Sequence, residues 1–249
     1  MRVTVLGAGT AIPAERYSPA GVYVRVNREH VLLDAGPGTL QRLHAVGVRP
    51  WQLDRIFLTH FHLDHCLDLA AVLFAARIPQ PPRTKPLAVY GPRGLTRLYR
   101  RLNTALNGWL QPKGYRLTLH ELDETTLRLN GYTISTRRMN HSARALGYRL
   151  TSAGERVVYS GDTAACQAIV DLGMQADLLI LECAMPDERR VIGHLTPTEC
   201  GQIAARAACR HLALTHFYPV FQGYDIRGRV RRHFRGPLTL CKDFTSFPL

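Results

Sequence analysis

The sequence predicts an α/β fold in which two sheets are covered by helices, in one domain spanning residues 1–249. Three observations carry that expectation. Short apolar or alternating runs of strand length interleave with longer segments of helical spacing along the whole chain. A block of alternating runs in the middle reads as hairpins. No stretch of linker composition divides the chain, and 249 residues suffice for one large domain.

Taken in order, "RVTVL" reads as a strand, followed by "GVYVRV" and "HVLLDA" joined at the turn "NRE". "GTLQRLHAVG" has helical spacing through Leu40, Leu43 and Val46 and stops at Gly47. "RIFLT" is a buried strand and "CLDLAAVLFAA" an apolar helix. The proline-rich stretch 78–86 reads as a surface loop and "LAVYG" as a strand. The helix "RGLTRLYRRLNTALNGW" carries Arg93, Arg97 and Arg101 four residues apart, which makes one face basic. "YRLTLHEL", "TLRL" and "YTISTRRM" alternate around the Asn-Gly turn at 130–131, and "ALGYRLT" with "RVVYS" forms another hairpin across "SAGE". The strand "DLLILE" comes next, then the helix "TPTECGQIAARAA" with a capping box from Thr196 to Glu199. "HLALTH", a basic helix over 225–234 and "PLTLC" complete the series.

Composition narrows the setting. No apolar run approaches the roughly 18 residues a membrane helix needs. The N-terminal "MRVTVLGAG" has no signal-peptide pattern. Six scattered cysteines with no C-x-x-C pair fit reduced thiols, so a cytoplasmic location is expected. The net charge of +13 points to an anionic partner. Arg outnumbers Lys 29 to 3, a skew that a GC-rich genome alone would produce. The distribution nevertheless marks two candidate RNA-binding faces: the segment 69–120, which contains no Asp or Glu, and the cluster "RGRVRRHFR" at 227–235. The opening "VTVLGAGTAI" is a weak dinucleotide-binding signal. Ile12 takes the third glycine position, and Pro13 and Pro19 interrupt the helix that would follow.

The chemistry concentrates in "LTHFHLDH", which packs His60, His62, Asp64 and His65 into six residues after an apolar strand. His141, Asp162 and His216 each follow another expected strand and can reach the same edge. Five His and two Asp are ligands for zinc or a similar divalent ion. Seven are too many for one tetrahedral ion but suit two ions sharing a carboxylate, which together could hold a hydroxide and clamp an oxyanion. His30, His44, His120, His211 and His233 lack such company and read as ordinary surface or core histidines.

"THFHLDH", His141, "GDT" and "THFYP", in this order, resemble the metallo-β-lactamase-fold hydrolases, whose hallmark is H-x-H-x-D-H. The resemblance implies a four-layered αββα sandwich. It also implies a dinuclear centre, with His60, His62 and His141 on the first ion, Asp64, His65 and His216 on the second, and Asp162 between. "LLDAGPGT", "HSARALGYRL", "LLILECA" and "GHLTPTE" further resemble the ribonuclease Z branch, the tRNA 3′-processing endonucleases. That resemblance implies a phosphodiesterase acting on RNA or on small or cyclic phosphodiesters, with a homodimer as the assembly. Metal-bound hydroxide would attack phosphorus and His194, held by Glu182, would give the leaving alkoxide its proton. Asp64 could steer the attacking water, and the helix beginning after Thr196 could offer free N–H groups to a phosphate oxygen. Zn2+ is the expected ion, with Mn2+, Fe2+ or Ni2+ also compatible.

Two departures from the branch bear on substrate. Only twenty residues separate His141 from Asp162, where the tRNA-processing enzymes carry a long tRNA-gripping arm, and "PAERYSP" has Tyr17 where that branch has Asn. The alternatives are hydrolysis of another bond (lactone, β-lactam, thioester or sulfate ester) on the same metals, or a non-catalytic metal-dependent binding protein. The Glu182/His194 pair favours phosphodiesters, since lactam and lactone cleavage need no such relay.

Overall fold

The computed structural model describes residues 1–78 and 82–249. The first half of the chain contains β1 (Arg2–Gly7), β2 (Gly21–Val26), β3 (Glu29–Leu33), α1 (Thr39–Ala45), β4 (Arg55–Phe57), α2 (Leu63–Cys66), α3 (Asp68–Ala76), β5 (Leu87–Pro92), α4 (Leu95–Ala105) and β6 (Leu117–Leu122). The second half contains β7 (Thr125–Arg128), β8 (Thr133–Arg138), β9 (Leu146–Ser152), β10 (Glu155–Tyr159), α5 (Gln167–Gly173), β11 (Leu178–Glu182), α6 (Pro197–Arg206), β12 (Leu212–Thr215), α7 (Ile226–Arg231), β13 (Leu238–Leu240) and β14 (Ser246–Pro248).

Two sheets result, in the orders β14-β1-β2-β3-β4-β5-β6 and β13-β12-β11-β10-β9-β8-β7. Each is half antiparallel and half parallel. In the first, β1, β2 and β3 form a meander, and β3 to β6 run parallel. In the second, β7 to β10 form the meander, and β10 to β13 run parallel. The buried strands read as near-continuous apolar runs because both faces are covered. Val22, Val24, Val31, Leu33, Phe57, Tyr148, Leu150, Val157 and Ile180 fill the space between the sheets. Leu32, Ile56 and Val89 face outward onto Leu43, Leu69, Val72 and Leu95 of α1, α3 and α4. Leu179, Leu181 and Leu212 do the same onto Ile169, Ile203 and Val230 of α5, α6 and α7. The expected αββα sandwich is therefore the observed one.

The sheets are also joined by polar contacts at the edge where β4 and β10 end. The buried Tyr148 hydroxyl donates to the Leu58 carbonyl at 2.6 Å, and Leu146 N–H donates to the Thr59 carbonyl at 2.9 Å. The opposite edge has its own clamp. Glu29, at the start of β3, accepts from Arg55 at 2.9 and 3.1 Å, from the Tyr132 hydroxyl at 2.7 Å and from the Asn130 amide at 2.6 Å. The Asn-Gly turn between β7 and β8 thus has a second role, since Asn130 reaches across to the other sheet while Gly131 takes the positive φ of 78°.

Three points add to or alter the sequence reading. α5 and β14 carry no sequence expectation, although both exist. The proline-rich stretch is not simply a surface loop. Residues 79–81 lie outside the described residues, but Arg83 is buried. Its guanidinium donates to the carbonyls of Leu53 at 2.7 Å, Pro86 at 2.8 Å and Trp51, satisfying a turn that would otherwise bury bare acceptors. Gly7 and Gly9 are required by packing: a Cβ on either would lie within 2.6 Å of backbone oxygens of Pro19 or Tyr17, where the 13–19 loop passes close by.

Burial raises the Glu29 carboxyl, but the hydrogen bonds from Arg55, Tyr132 and Asn130 outweigh it and lower the net pKa. Its contribution to stability is present above the usual carboxylate range and is lost as pH falls through the lowered value. Glu29→Gln is expected to destabilise by about 2 kcal/mol at neutral pH. In thermal melts across a pH series, the difference from wild type should be full at neutral pH and shrink in acid.

Candidate metal centre

The ends of β3, β4, β8, β10, β11 and β12 point the same way, because β8 and β10 both run antiparallel to β9. This direction delivers Asp34, the 60–65 loop, His141, Asp162, Glu182 and His216 to one edge. Gly161, at φ 56°, lets the end of β10 approach the first sheet, since a Cβ there would sit 2.7 Å from Thr59 side-chain carbons.

All seven residues expected as ligands converge. His60, His62, His141 and Asp162 form one group whose nitrogen and oxygen atoms lie within 4.8 Å of one another, and Asp64, His65 and His216 form a second. Asp162 stands between them. Its Oδ2 faces His60 Nε2 at 3.8 Å and His141 Nε2 at 3.7 Å, while Oδ1 faces His65 Nε2 at 3.2 Å and His216 Nε2 at 3.4 Å. Within the groups, His62 Nδ1 and His141 Nε2 are 3.1 Å apart, and His65 Nε2 and His216 Nε2 are 3.2 Å apart. Ligands held about 2.0–2.1 Å from one ion necessarily crowd together in this way.

The donor atoms also fit divalent ions electrostatically. His60 Nε2 and Asp162 Oδ1 are buried without a hydrogen-bond partner, a costly arrangement for polar atoms unless something else engages them. Burial, then the neighbouring His65, drives the His60 pKa down to about 2, so its ring stays neutral and its lone pair free. Burial would raise the Asp64 carboxyl, yet the His216 hydrogen bond and the His65 charge hold it at about 2. Asp162, despite burial, is held well below the usual range by His216 and His65. Burial opposes charge on His65 as well, but Asp162 and Asp34 on either side raise its pKa well above the ordinary value. The pocket favours positive charge between these carboxylates.

A layer of hydrogen bonds sets the rings of His60, His65 and His141. His65 Nδ1 donates to Asp34 Oδ2 at 2.7 Å, which turns Nε2 into the cluster. The Thr59 hydroxyl donates to the same carboxylate at 2.9 Å and stands 3.0 Å from His60 Nδ1, so it can accept from that ring. Thr59 N–H at 2.7 Å and the Tyr159 hydroxyl at 2.9 Å complete the set around Asp34, which is fully buried. His141 Nδ1 donates to the Gly193 carbonyl at 2.9 Å. Sequence reasoning missed Asp34 as a site residue. Its signals are an Asp ending the apolar run "HVLLD" and its place in "LLDAGPGT".

Glu182 and His194 come together beside the cluster. Glu182 is 1% exposed and accepts from Thr163 N at 2.9 Å and from Ala184 N and Leu195 N at 3.2 Å. His194 Nδ1 donates to it at 2.9 Å, and a ring nitrogen of His194 joins Asp162 and His216 in a third convergent group. Burial works against charge on His194, but the hydrogen bond and charge of Glu182 raise its pKa.

The expectation of free N–H groups at the start of α6 is not met. Pro197 has no N–H, Thr198 N–H donates to Asp187 at 3.0 Å, and the Thr196–Glu199 capping box is formed. Among the histidines set aside, His30 meets the Tyr23 hydroxyl, His211 meets Thr239 and His120 stacks on Tyr90. In the 227–235 cluster, Arg229 pairs with Asp187 and Glu188, while Arg227 and Arg231 donate to the carbonyls of Leu238 and Gly236.

Comparison with known proteins agrees with this geometry. A family model described as beta-lactamase superfamily domain matches residues 29–217. The chain is 28% identical to ribonuclease Z of Streptomyces coelicolor over 302 aligned positions, covering 99% of this chain and 97% of that protein. The crystal structure of human tRNase Z, short form, superposes with a TM-score of 0.82 and 25% identity, covering 100% of this chain and 99% of that one. The metallo-beta-lactamase fold protein YhfI of Bacillus subtilis superposes with a TM-score of 0.85 and 24% identity over 99% and 98% of the two chains.

Removing the orienting charge tests the imidazole layer. Asp34→Asn is expected to weaken metal affinity by about 10–100-fold at the His65 position while leaving the fold intact. Competition against a chromophoric chelator, with circular dichroism as the fold control, measures both.

Proposed function

Because the chain belongs to the beta-lactamase superfamily, we propose that it is a metal-dependent phosphodiesterase of the ribonuclease Z type, cleaving phosphodiester bonds in RNA or in smaller phosphodiesters. The observation that carries this reading is the pair of buried Glu182 and half-buried His194 beside convergent groups of His and Asp atoms. Relatives named ribonuclease Z and tRNase Z support RNA as the substrate class.

In this reading His60, His62 and His141 would hold one divalent ion and Asp64, His65 and His216 a second, with Asp162 standing between the two groups. Zinc is the ion that a His/Asp set of this kind suits first. Bound there, such ions supply Lewis acidity to phosphoryl oxygens and acidify a coordinated water. The chain's own residues supply the rest. Glu182, locked by three backbone N–H groups, fixes the orientation of His194 and favours its protonated form. The nitrogen of His194 opposite Glu182 then faces the reaction space and gives a proton to the departing alkoxide. Asp64, half-buried and ionised, orients the attacking water. His62 is exposed while His60, His65, Asp162 and His216 are buried, so substrate enters from the His62 side. The catalytic unit is the single domain 1–249, working as a homodimer inside the cell. No described helix is long and apolar enough to cross a membrane.

Purified protein should bind close to two metal ions per chain and hydrolyse bis(p-nitrophenyl) phosphate. Chelation should abolish turnover and zinc should restore it. His194→Ala is expected to keep both metals but lose about 10²–10⁴-fold in kcat. Metal-loaded protein inert towards phosphodiesters but active on lactones or thioesters would overturn the reading.

A further inference from the structure

A cleft of about 530 Å³ opens beside the metal-ligand cluster, with His60 and His62 in one wall and α4 in another. Arg93, Arg97 and Arg101 of the α4 segment line it, joined by Arg144 from the loop after β8. Four arginines around one cleft need explanation, and Arg97 and Arg101, four residues apart within α4, are like charges that destabilise the helix. Two of them are partly accounted for. Arg93 lies 3.5 Å from Asp123, and Arg144 donates to the Arg93 carbonyl at 3.1 Å. Arg97 and Arg101 are exposed and have no carboxylate within ion-pair distance among the described residues. Glu121 is engaged by Thr96 N–H at 3.0 Å, and Asp123 is bound bidentately by Arg138.

We propose that this cleft is the binding track for a single RNA strand leading away from the metal centre, with Arg97 and Arg101 each holding a successive backbone phosphate. The inference rests on the phosphodiesterase reading for why a strand is there, and names the substrate as a polyanion rather than a lone diester. Spacing is the reason. Residues four apart on a helix advance by about 6 Å, so the row formed by Arg97 and Arg101, with Arg93 just before the helix begins, extends beyond that length. One phosphate group cannot engage its whole length, whereas consecutive phosphates of an extended strand can. Phe61 and Leu98, in the same cleft, offer apolar surface to a base. The short β9–β10 hairpin between His141 and Asp162 leaves no arm for remote capture of substrate, so grip near the scissile bond has to come from such a track.

The test is binding of a fluorescein-labelled 2′-O-methyl oligoribonucleotide, followed by anisotropy at two or more salt concentrations. Arg97→Ala/Arg101→Ala is expected to raise Kd by roughly tenfold or more. It should also make the log Kd against log salt slope shallower by about 1.4, or about 0.7 for each phosphate no longer neutralised. The control, Arg100→Ala/Arg116→Ala, removes the same charge from exposed positions outside the cleft and should leave both quantities at wild-type values. Equal losses in the two double variants would mean that only net charge matters, and would overturn the track, as would no loss in the first. Wild-type hydrolysis of bis(p-nitrophenyl) phosphate, run in parallel, tests the phosphodiesterase reading separately. If that activity is absent while the Arg97/Arg101 effect stands, the reading fails and the track survives as a nucleic-acid-binding groove.

Discussion

The carboxylate of Asp34, fully buried where the two sheets meet, is the interaction on which the rest of this site depends. It gathers donors from both halves of the molecule: Thr59 and His65 from the first sheet's loop, Tyr159 from the second sheet. One acceptor therefore performs two tasks. It ties the ends of β3, β4 and β10 together, and through His65 and Thr59 it sets the ring orientation of one imidazole in each half of the cluster. A carboxyl group in so dry a place is tolerable only because four donors surround it. Asp34 also sits at φ 57°, a backbone geometry that Asp accepts more readily than most residues.

The topology explains why the donors could be assembled at all. A strand contributes a side chain at its end without disturbing the core behind it, and parallel strands end together. Joining a meander to a parallel half in each sheet gives both sheets several ends on the same edge. The Glu29 clamp at the far end and the Tyr148 and Tyr159 hydroxyls at the near end fix the sheets against sliding. Convergence to a few ångströms, which a metal cluster demands, follows from that rigidity.

Much of this was legible in the sequence because it is periodic or dense. The apolar runs marked most of the strands, and "HFHLDH" concentrated enough ligands to be noticed without any structure. Glu182 and His194 were legible only through family resemblance, since neither belongs to a local cluster. What escaped notice shares a physical reason: its partners are distant in sequence. Asp34 looks like any strand-end Asp until Tyr159 and His65 fold onto it. Arg83 looks solvated until the Trp51–Leu53 turn closes over its guanidinium. The acceptor for the α6 first turn, Asp187, lies outside the capping motif, so the box at Thr196 gave no warning that Thr198 N–H was occupied. α5 is seven residues long and β14 three, too short for periodicity to speak.

The peptide joining Gly193 to His194 carries a consequence for anyone who would redesign this protein. The Gly193 carbonyl steers His141, its positive φ of 87° leaves a Cβ only 3.0 Å from that ring, and the next side chain meets Glu182. The orientations of His141 and His194 are thus mechanically geared to a single linkage. Libraries that vary this loop to seek new specificity would shift both gears at once, so new selectivity is better sought on other walls of the entrance.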